Sequence, residues 1–167
     1  MINIIICGAS KRGKSTLCKE FISLHKGEKI IYDVNNEYVN NGGIFEDKDK
    51  FLERVKNKKN CLIVFEESTI FFSKKGREEI LIDLLVRKRH TNNKIILLFH
   101  SLRSIPVYIL ELCNYIILKK TADTPKVVKD NFRGFDEIIE AYEQLRTECS
   151  DNDKEKSFYE FIEIQIN

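Results

Sequence analysis

Five short stretches, Met1–Cys7, Glu28–Val34, Cys61–Phe65, Lys94–Phe99 and Asn114–Leu118, read as strands, and most of them are apolar almost throughout. A strand without a polar face cannot border water, so it must be covered on both sides, as happens in parallel sheets between helical layers. The intervening segments carry the matching helical period. Leu17, Phe21 and Leu24 recur in Lys14–His25, and Phe51, Leu52 and Val55 share a face in Asp47–Asn57. Ile80, Leu81, Leu84 and Leu85 are expected to face inward from Arg77–His90, and Val107–Leu112 reads as a short helix. Asn35–Gly43, rich in Asn and Gly, reads as a loop, and Ser101–Pro106 as a connection. The expectation is an α/β, three-layer fold with a mainly parallel five-stranded sheet. Further along, Asn131–Arg146 looks helical, Cys149–Lys156 is a polar break, and Phe158–Ile166 alternates well enough for an edge strand.

A chain of 167 residues holds one core of ordinary size, so residues 1–167 are expected to form a single domain, with a core over about 1–120 and an extension over about 121–167. With 43% apolar and 32% charged residues, global disorder is excluded. The longest apolar runs fall far short of the ~20 residues of a membrane helix. The first of them runs straight into Gly8-Ala9-Ser10-Lys11 with no basic region before it, so no signal peptide fits and a cytoplasmic protein is expected. A formal charge of +2 creates no domain-wide field that would advertise nucleic acid. Cys7, Cys18, Cys61, Cys113 and Cys149 share no C-x-x-C spacing, and several sit inside apolar strands, as buried structural thiols do.

Between the first strand and its helix, Gly8-Ala9-Ser10-Lys11-Arg12-Gly13-Lys14-Ser15 matches G-x-x-x-x-G-K-[ST] at every fixed position. Gly8 and Gly13 permit the tight turn and let backbone N–H groups approach phosphate oxygens. The helix that begins near Lys14 points its positive end at the same place. Lys14 offers a charge to the β- and γ-phosphates, the Ser15 hydroxyl a ligand for Mg²⁺, and Thr16 a second hydroxyl near the α-phosphate. Binding of a nucleoside triphosphate, with ATP and Mg²⁺ as the expected pair, is the firmest functional reading.

The run Cys61–Phe65 ends in Glu66-Glu67-Ser68, two carboxylates at the edge a parallel sheet shares with the phosphate loop. Glu66 is expected at the metal, with a side chain one methylene longer than the usual Asp, and Glu67 nearer the γ-phosphate, orienting or deprotonating water. His100 follows the fourth strand, where it would sense the γ-phosphate. Arg87, Lys88, Arg89 and His90 form a basic cluster at a helix end; Arg87 or Arg89 would serve a neighbouring subunit's nucleotide, although cations are also favoured there by the helix dipole. Asp33 and Glu37 flank Asn35-Asn36 on the same active edge, and Lys74, Lys75 and Arg77 offer loop charges to a nucleic-acid backbone.

Taken in order, these residues resemble the FtsK–HerA family of P-loop ATPases over roughly residues 2–120. The phosphate loop Gly8–Thr16 is followed by Asp33-Val34-Asn35-Asn36-Glu37-Tyr38, similar to that family's D-x-x-x-E-[YF], then by Val64-Phe65-Glu66-Glu67 and Arg87-Lys88-Arg89-His90-Thr91. His100 stands where the family usually has Gln. The Arg-His pair also resembles the zonula-occludens-toxin-like phage ATPases, and the small size the genome-packaging ATPases of tailless, internal-membrane phages and related viruses. The resemblance implies a RecA/ASCE-like P-loop fold with strand order 5-1-4-3-2 in chain numbering. It also implies a homo-oligomeric ring, a hexamer, that moves double-stranded DNA, an arginine completing each site in trans, and a capsid, portal or membrane-protein partner in the host cytoplasm or on the virion.

Two other classes stay open from the residues alone. A P-loop small-molecule kinase would need an acceptor pocket and an Arg-bearing lid, for which Arg103 is the one candidate considered. A nucleotide-binding switch without turnover would have no use for Glu67 as a base.

Overall fold

The computed structural model describes residues 2–39, 41–72, 79–149 and 154–166; the side chains of 79–81, 88, 89, 154, 155 and 157 lie outside that description. Among the described residues seven strands form one sheet: β1 (Asn3–Cys7), β2 (Lys29–Tyr32), β3 (Gly43–Phe45), β4 (Leu62–Phe65), β5 (Lys94–Phe99), β6 (Tyr115–Leu118) and β7 (Ile162–Gln165). Their order is β3-β2-β4-β5-β1-β6-β7, parallel throughout except for the antiparallel pair β6–β7.

The five strands expected from the sequence keep the expected relative order, but the sheet has seven strands because each edge gains one. β7 is the anticipated edge strand, shortened to Ile162–Gln165. β3 begins at Gly43, the last residue of the stretch read as loop. Gly42, at φ +147°, lies so close to β2 that a Cβ there would stand 2.7 Å from the Lys29 Cβ, so glycine is what lets this segment add to the edge.

The helices are α1 (Lys14–Leu24), α2 (Lys48–Val55), α3 (Glu79–Val86), α4 (Lys88–Thr91), α5 (Val107–Leu110), α6 (Pro125–Asn131), α7 (Asp136–Glu148) and α8 (Lys154–Tyr159). Alternate residues of the strands enter two separate cores. On one face, Ile5, Ile63, Phe65, Ile95, Leu97 and Ile116 pack against α2, α3, α5, α6 and α7. On the other, Ile6, Ile31, Val64, Ile96 and Leu98 meet α1 and Tyr38.

Three expectations about the helices need correction. The buried stripe of α1 is Lys14, Cys18 and Ile22; of the expected face, Leu17 and Phe21 pack half-buried against the second core but Leu24 is 78% exposed. Arg77–His90 is not one helix: residues 73–78 lie outside the description, and the rest divides into α3 and α4. Asn131–Arg146 is interrupted at Gly134, whose φ of +91° is left-handed and ends helical pairing, so α6 stops at Asn131 and α7 starts at Asp136. The five cysteines are buried free thiols.

Aromatic packing stiffens the end of β4. Phe71, just after the 3₁₀ turn Ser68–Ile70, meets Tyr32 edge-on at 4.7 Å and Phe65 at 5.0 Å, and Phe65 meets Phe51 at 5.0 Å. Ser68 Oγ donates to the Phe65 carbonyl at 3.1 Å. The two residues between, Glu66 and Glu67, are thereby fixed by a buried cluster rather than left on a free loop.

Candidate functional site

The loop that follows β1 is pinned to both neighbouring strands. Gly8 N donates to Phe99 O at 3.1 Å, and Ala9 N to Lys120 O at 2.9 Å. Lys11 has φ +61° and Gly13 +74°, the left-handed turns that fold the loop back over the start of α1. The Lys14 ammonium curls onto the loop itself and donates to Ala9 O at 3.0 Å. Lys14 is 6% exposed; burial lowers its pKa, against the raising influence of the thiol of Cys7 and the carboxylates of Glu66, Glu37 and Glu67. Ser10, Lys11, Gly13, Lys14, Ser15 and Thr16 all border an open cleft of about 520 Å³, whose far side carries Asn35, Glu37, Glu66 and His100.

Glu66 and Glu67 are neighbours in sequence with opposite surroundings. Glu66 is 3% exposed and accepts from Asn35 Nδ2 at 3.0 Å. Burial raises its pKa, and the charges of Glu37 and Glu67 raise it further. Glu67 accepts from His100 Nε2 at 3.0 Å and from the Thr69 hydroxyl. The hydrogen bond from His100 holds its carboxyl below the usual range, with Thr69 acting in the same direction against burial. One edge therefore presents a carboxylate that a cation would relieve and another already poised ionised beside an imidazole.

The loop after β2 explains the remaining acids. Asp33 is fully buried and spent on the backbone: its Oδ1 accepts from Asn35 N at 3.1 Å and its Oδ2 from Tyr38 N at 2.8 Å. That turn aims Asn35 at Glu66. Glu37 reaches the cleft directly.

Not every expected residue meets the cleft. Arg87 forms an ion pair with Asp83 at 2.5 Å and is 66% exposed. It lies at the other end of the sheet, since Thr91 N donates to its carbonyl and Asn60 N, beside the start of β4, donates to Thr91 O. The Arg89 side chain and Lys74, Lys75 and Arg77 are outside the described residues. Arg103, which a kinase lid would need, pairs with Asp123 at 3.9 Å.

Three contributors escaped the sequence reading. Asn35 stands in the sequence only as a neighbour of acids. Lys119, 2% exposed, sits behind the loop, where a Cβ on Gly8 would come within 2.7 Å of its own Cβ. Phe158 borders the cleft from α8. Only the lysine carried a signal, a charged residue directly after the apolar run of β6.

No protein-family model and no curated protein matches the sequence. Solved structures do match. The genome packaging NTPase B204 from Sulfolobus turreted icosahedral virus 2, in complex with AMPPCP, aligns with a TM-score of 0.78 and 19% identity over 99% of this chain and 92% of its own. In complex with ATP-gammaS it gives 0.76 at 18% identity over the same shares. B204, the DNA-packaging ATPase from Sulfolobus turreted icosahedral virus, gives 0.75 at 18%, again over 99% and 92%. This chain shares their fold. The likeness spans the three-layer core and the segment beyond it, through β7, and its subjects are viral packaging NTPases, the group that the chain's small size resembles. Among the described residues no helix is long and apolar enough to cross a membrane.

Proposed function

We propose that the chain is a Mg²⁺-dependent ATPase that couples hydrolysis to translocation of double-stranded DNA, in the packaging of a viral or phage genome. The observation that carries the hydrolase reading is the meeting, in one cleft, of a phosphate loop with the buried carboxylate of Glu66 and with His100, the imidazole that holds Glu67. The motor reading is supported by the order of motifs and by a fold shared with viral packaging NTPases.

In this reading Gly8–Gly13 turn backbone N–H groups toward the phosphates, Lys14 neutralises the β- and γ-phosphates, and Thr16 faces the α-phosphate. The donors Ser15 and Glu66 fit Mg²⁺, a hard cation that keeps waters and shares substrate oxygens: one is a hydroxyl, the other a buried carboxylate crowded by further negative charge. The ion so held supplies charge neutralisation on the phosphates. Glu67 takes the proton of the attacking water, and His100 fixes the orientation of Glu67 while facing the γ-phosphate. Arg87 or Arg89 completes the site of a neighbouring subunit in a ring, a hexamer, because Arg87 lies at the wrong end of the sheet to serve its own cleft. The ring would dock on a capsid, portal or membrane protein.

The test is steady-state ATP hydrolysis with and without long double-stranded DNA at ~50 and ~200 mM salt, since contacts to the phosphate backbone weaken steeply with salt. Stimulation that fades with salt is the expected result. A rate indifferent to DNA at both salts removes the motor and leaves the hydrolase.

A further inference from the structure

The cleft is almost wholly polar. Of the described residues bordering it, Phe158 supplies the one phenyl ring; its neighbours are glycine, hydroxyl, amide, imidazole and charged groups. That ring is placed with care. A Cβ on Gly13 would stand 2.7 Å from Phe158 O and 3.2 Å from the ring carbon Cε1, so α8 rests directly on the phosphate loop. The buried Lys119 ammonium holds it there, donating to Phe158 O at 2.7 Å and Glu160 O at 3.4 Å. Tyr159 backs the ring edge-on at 5.1 Å.

Topology gives the cleft a direction. Glu66, Glu67 and His100 follow β4 and β5, on one side of β1; α8 leads into β7, on the other side. A triphosphate whose γ end faces the carboxylates and whose α end reaches Thr16 therefore leaves its nucleoside on the Phe158 side. We propose that Phe158 is the platform on which the nucleobase stacks, and that Lys119 is the positioning residue that keeps it against the phosphate loop. A ring face is indifferent to base identity, because every base has a π-face, so the platform lends affinity without choosing between ATP and GTP.

The inference rests on the nucleotide-binding reading, and the experiment separates the two. The full chain and its variants are titrated calorimetrically with Mg-ATP, Mg-GTP and Mg-tripolyphosphate, the last having no base. Phe158→Ala is expected to raise the Kd of both nucleotides by about 10- to 100-fold, the range of a base–aromatic stack, and to leave tripolyphosphate within about twofold. Phe158→Trp should restore nucleotide affinity. Lys119→Met should weaken both nucleotides and spare tripolyphosphate, with no further loss when added to Phe158→Ala. Loss of tripolyphosphate in parallel with ATP would overturn the platform, as would a Phe158→Ala chain that binds ATP like the parent. A parent that binds neither ATP nor tripolyphosphate overturns the nucleotide-binding reading, and the platform falls with it.

Discussion

Among the described residues, the buried polar side chains where the strands begin are amides; where they end, all but Ser68 are ionisable groups. At the first edge Asn3 is fully buried and donates to Leu112 O at 2.9 Å and Leu85 O at 3.3 Å. Asn93, also fully buried, accepts from Cys61 N at 3.1 Å and donates to Lys58 O at 2.9 Å. An amide is both donor and acceptor and carries no charge to desolvate, so it can tie two loops to a strand at small cost. At the second edge Lys14, Glu66 and Asp33 are buried ions, and Lys14 and Glu66 are both drawn toward neutrality by burial. Polar burial at the first edge serves geometry. At the second it stores an electrostatic debt that a triphosphate and its cation can settle.

The sharpest break of this contrast lies in Glu67→Gln, which keeps the shape of the ionised acid and removes its basicity. ATP turnover should fall by about 10²- to 10⁴-fold, the worth of a general base, with ATP affinity retained; steady-state hydrolysis beside calorimetry reads both. Lys14→Ala comes next. Losing a charge-assisted contact of about 3 kcal/mol should weaken Mg-ATP at least ~100-fold. The unliganded variant should melt no lower than the parent, because the ammonium that is removed is desolvated without a full partner. A Lys14→Ala chain that binds ATP normally would mean that the charged edge is only a polar rim.

Asn93→Ala probes the opposite edge. Leaving Cys61 N and Lys58 O without their partner should cost about 1–3 kcal/mol in denaturant unfolding, while the ATP Kd stays that of the parent. The smallest effect is expected from Glu66→Gln without ligand. A carboxyl whose folded pKa is raised contributes stability below its ordinary value and loses it as pH rises through the raised one, so ionised Glu66 is a cost at neutral pH. The variant should gain slightly in stability at pH 7 and lose that advantage in mild acid, while Mg-ATP affinity drops. Glu67 runs the other way: its lowered pKa contributes above the ordinary carboxylate range and is lost as pH falls through the lowered value. Thermal melts across pH 3–8 on the parent and both variants would separate the two acids.

The same contrast explains what could be read from residues. The five inner strands were legible because a strand apolar on both faces must lie between helical layers, their order only through the resemblance to the FtsK–HerA family, and the phosphate loop because its chemistry dictates residue types at fixed spacing. The face of α1 is legible only in part. Lys14 is buried in line with Cys18 and Ile22, against the ordinary rule that lysine faces water, which leaves Leu17 and Phe21 half-buried at the side of the stripe and Leu24 outside it. Phe158 had a period that suited an edge strand, yet α8 claims it and only β7 is strand. Neither Asn35 beside Glu66 nor Lys119 behind Gly8 could be foreseen, because local pattern does not say which loops will meet across a sheet.

The contact of Phe158 with Gly13 has a bearing on how the protein comes into being. The phosphate loop is among the first parts of this sequence to be synthesised, and its wall is translated only after β6, α6 and α7. Until then a ribosome-bound chain has its loop amides with one side of the cleft missing. If the cleft takes a nucleotide as proposed, tight capture becomes a property of the finished fold, and a half-made chain would not hold a triphosphate.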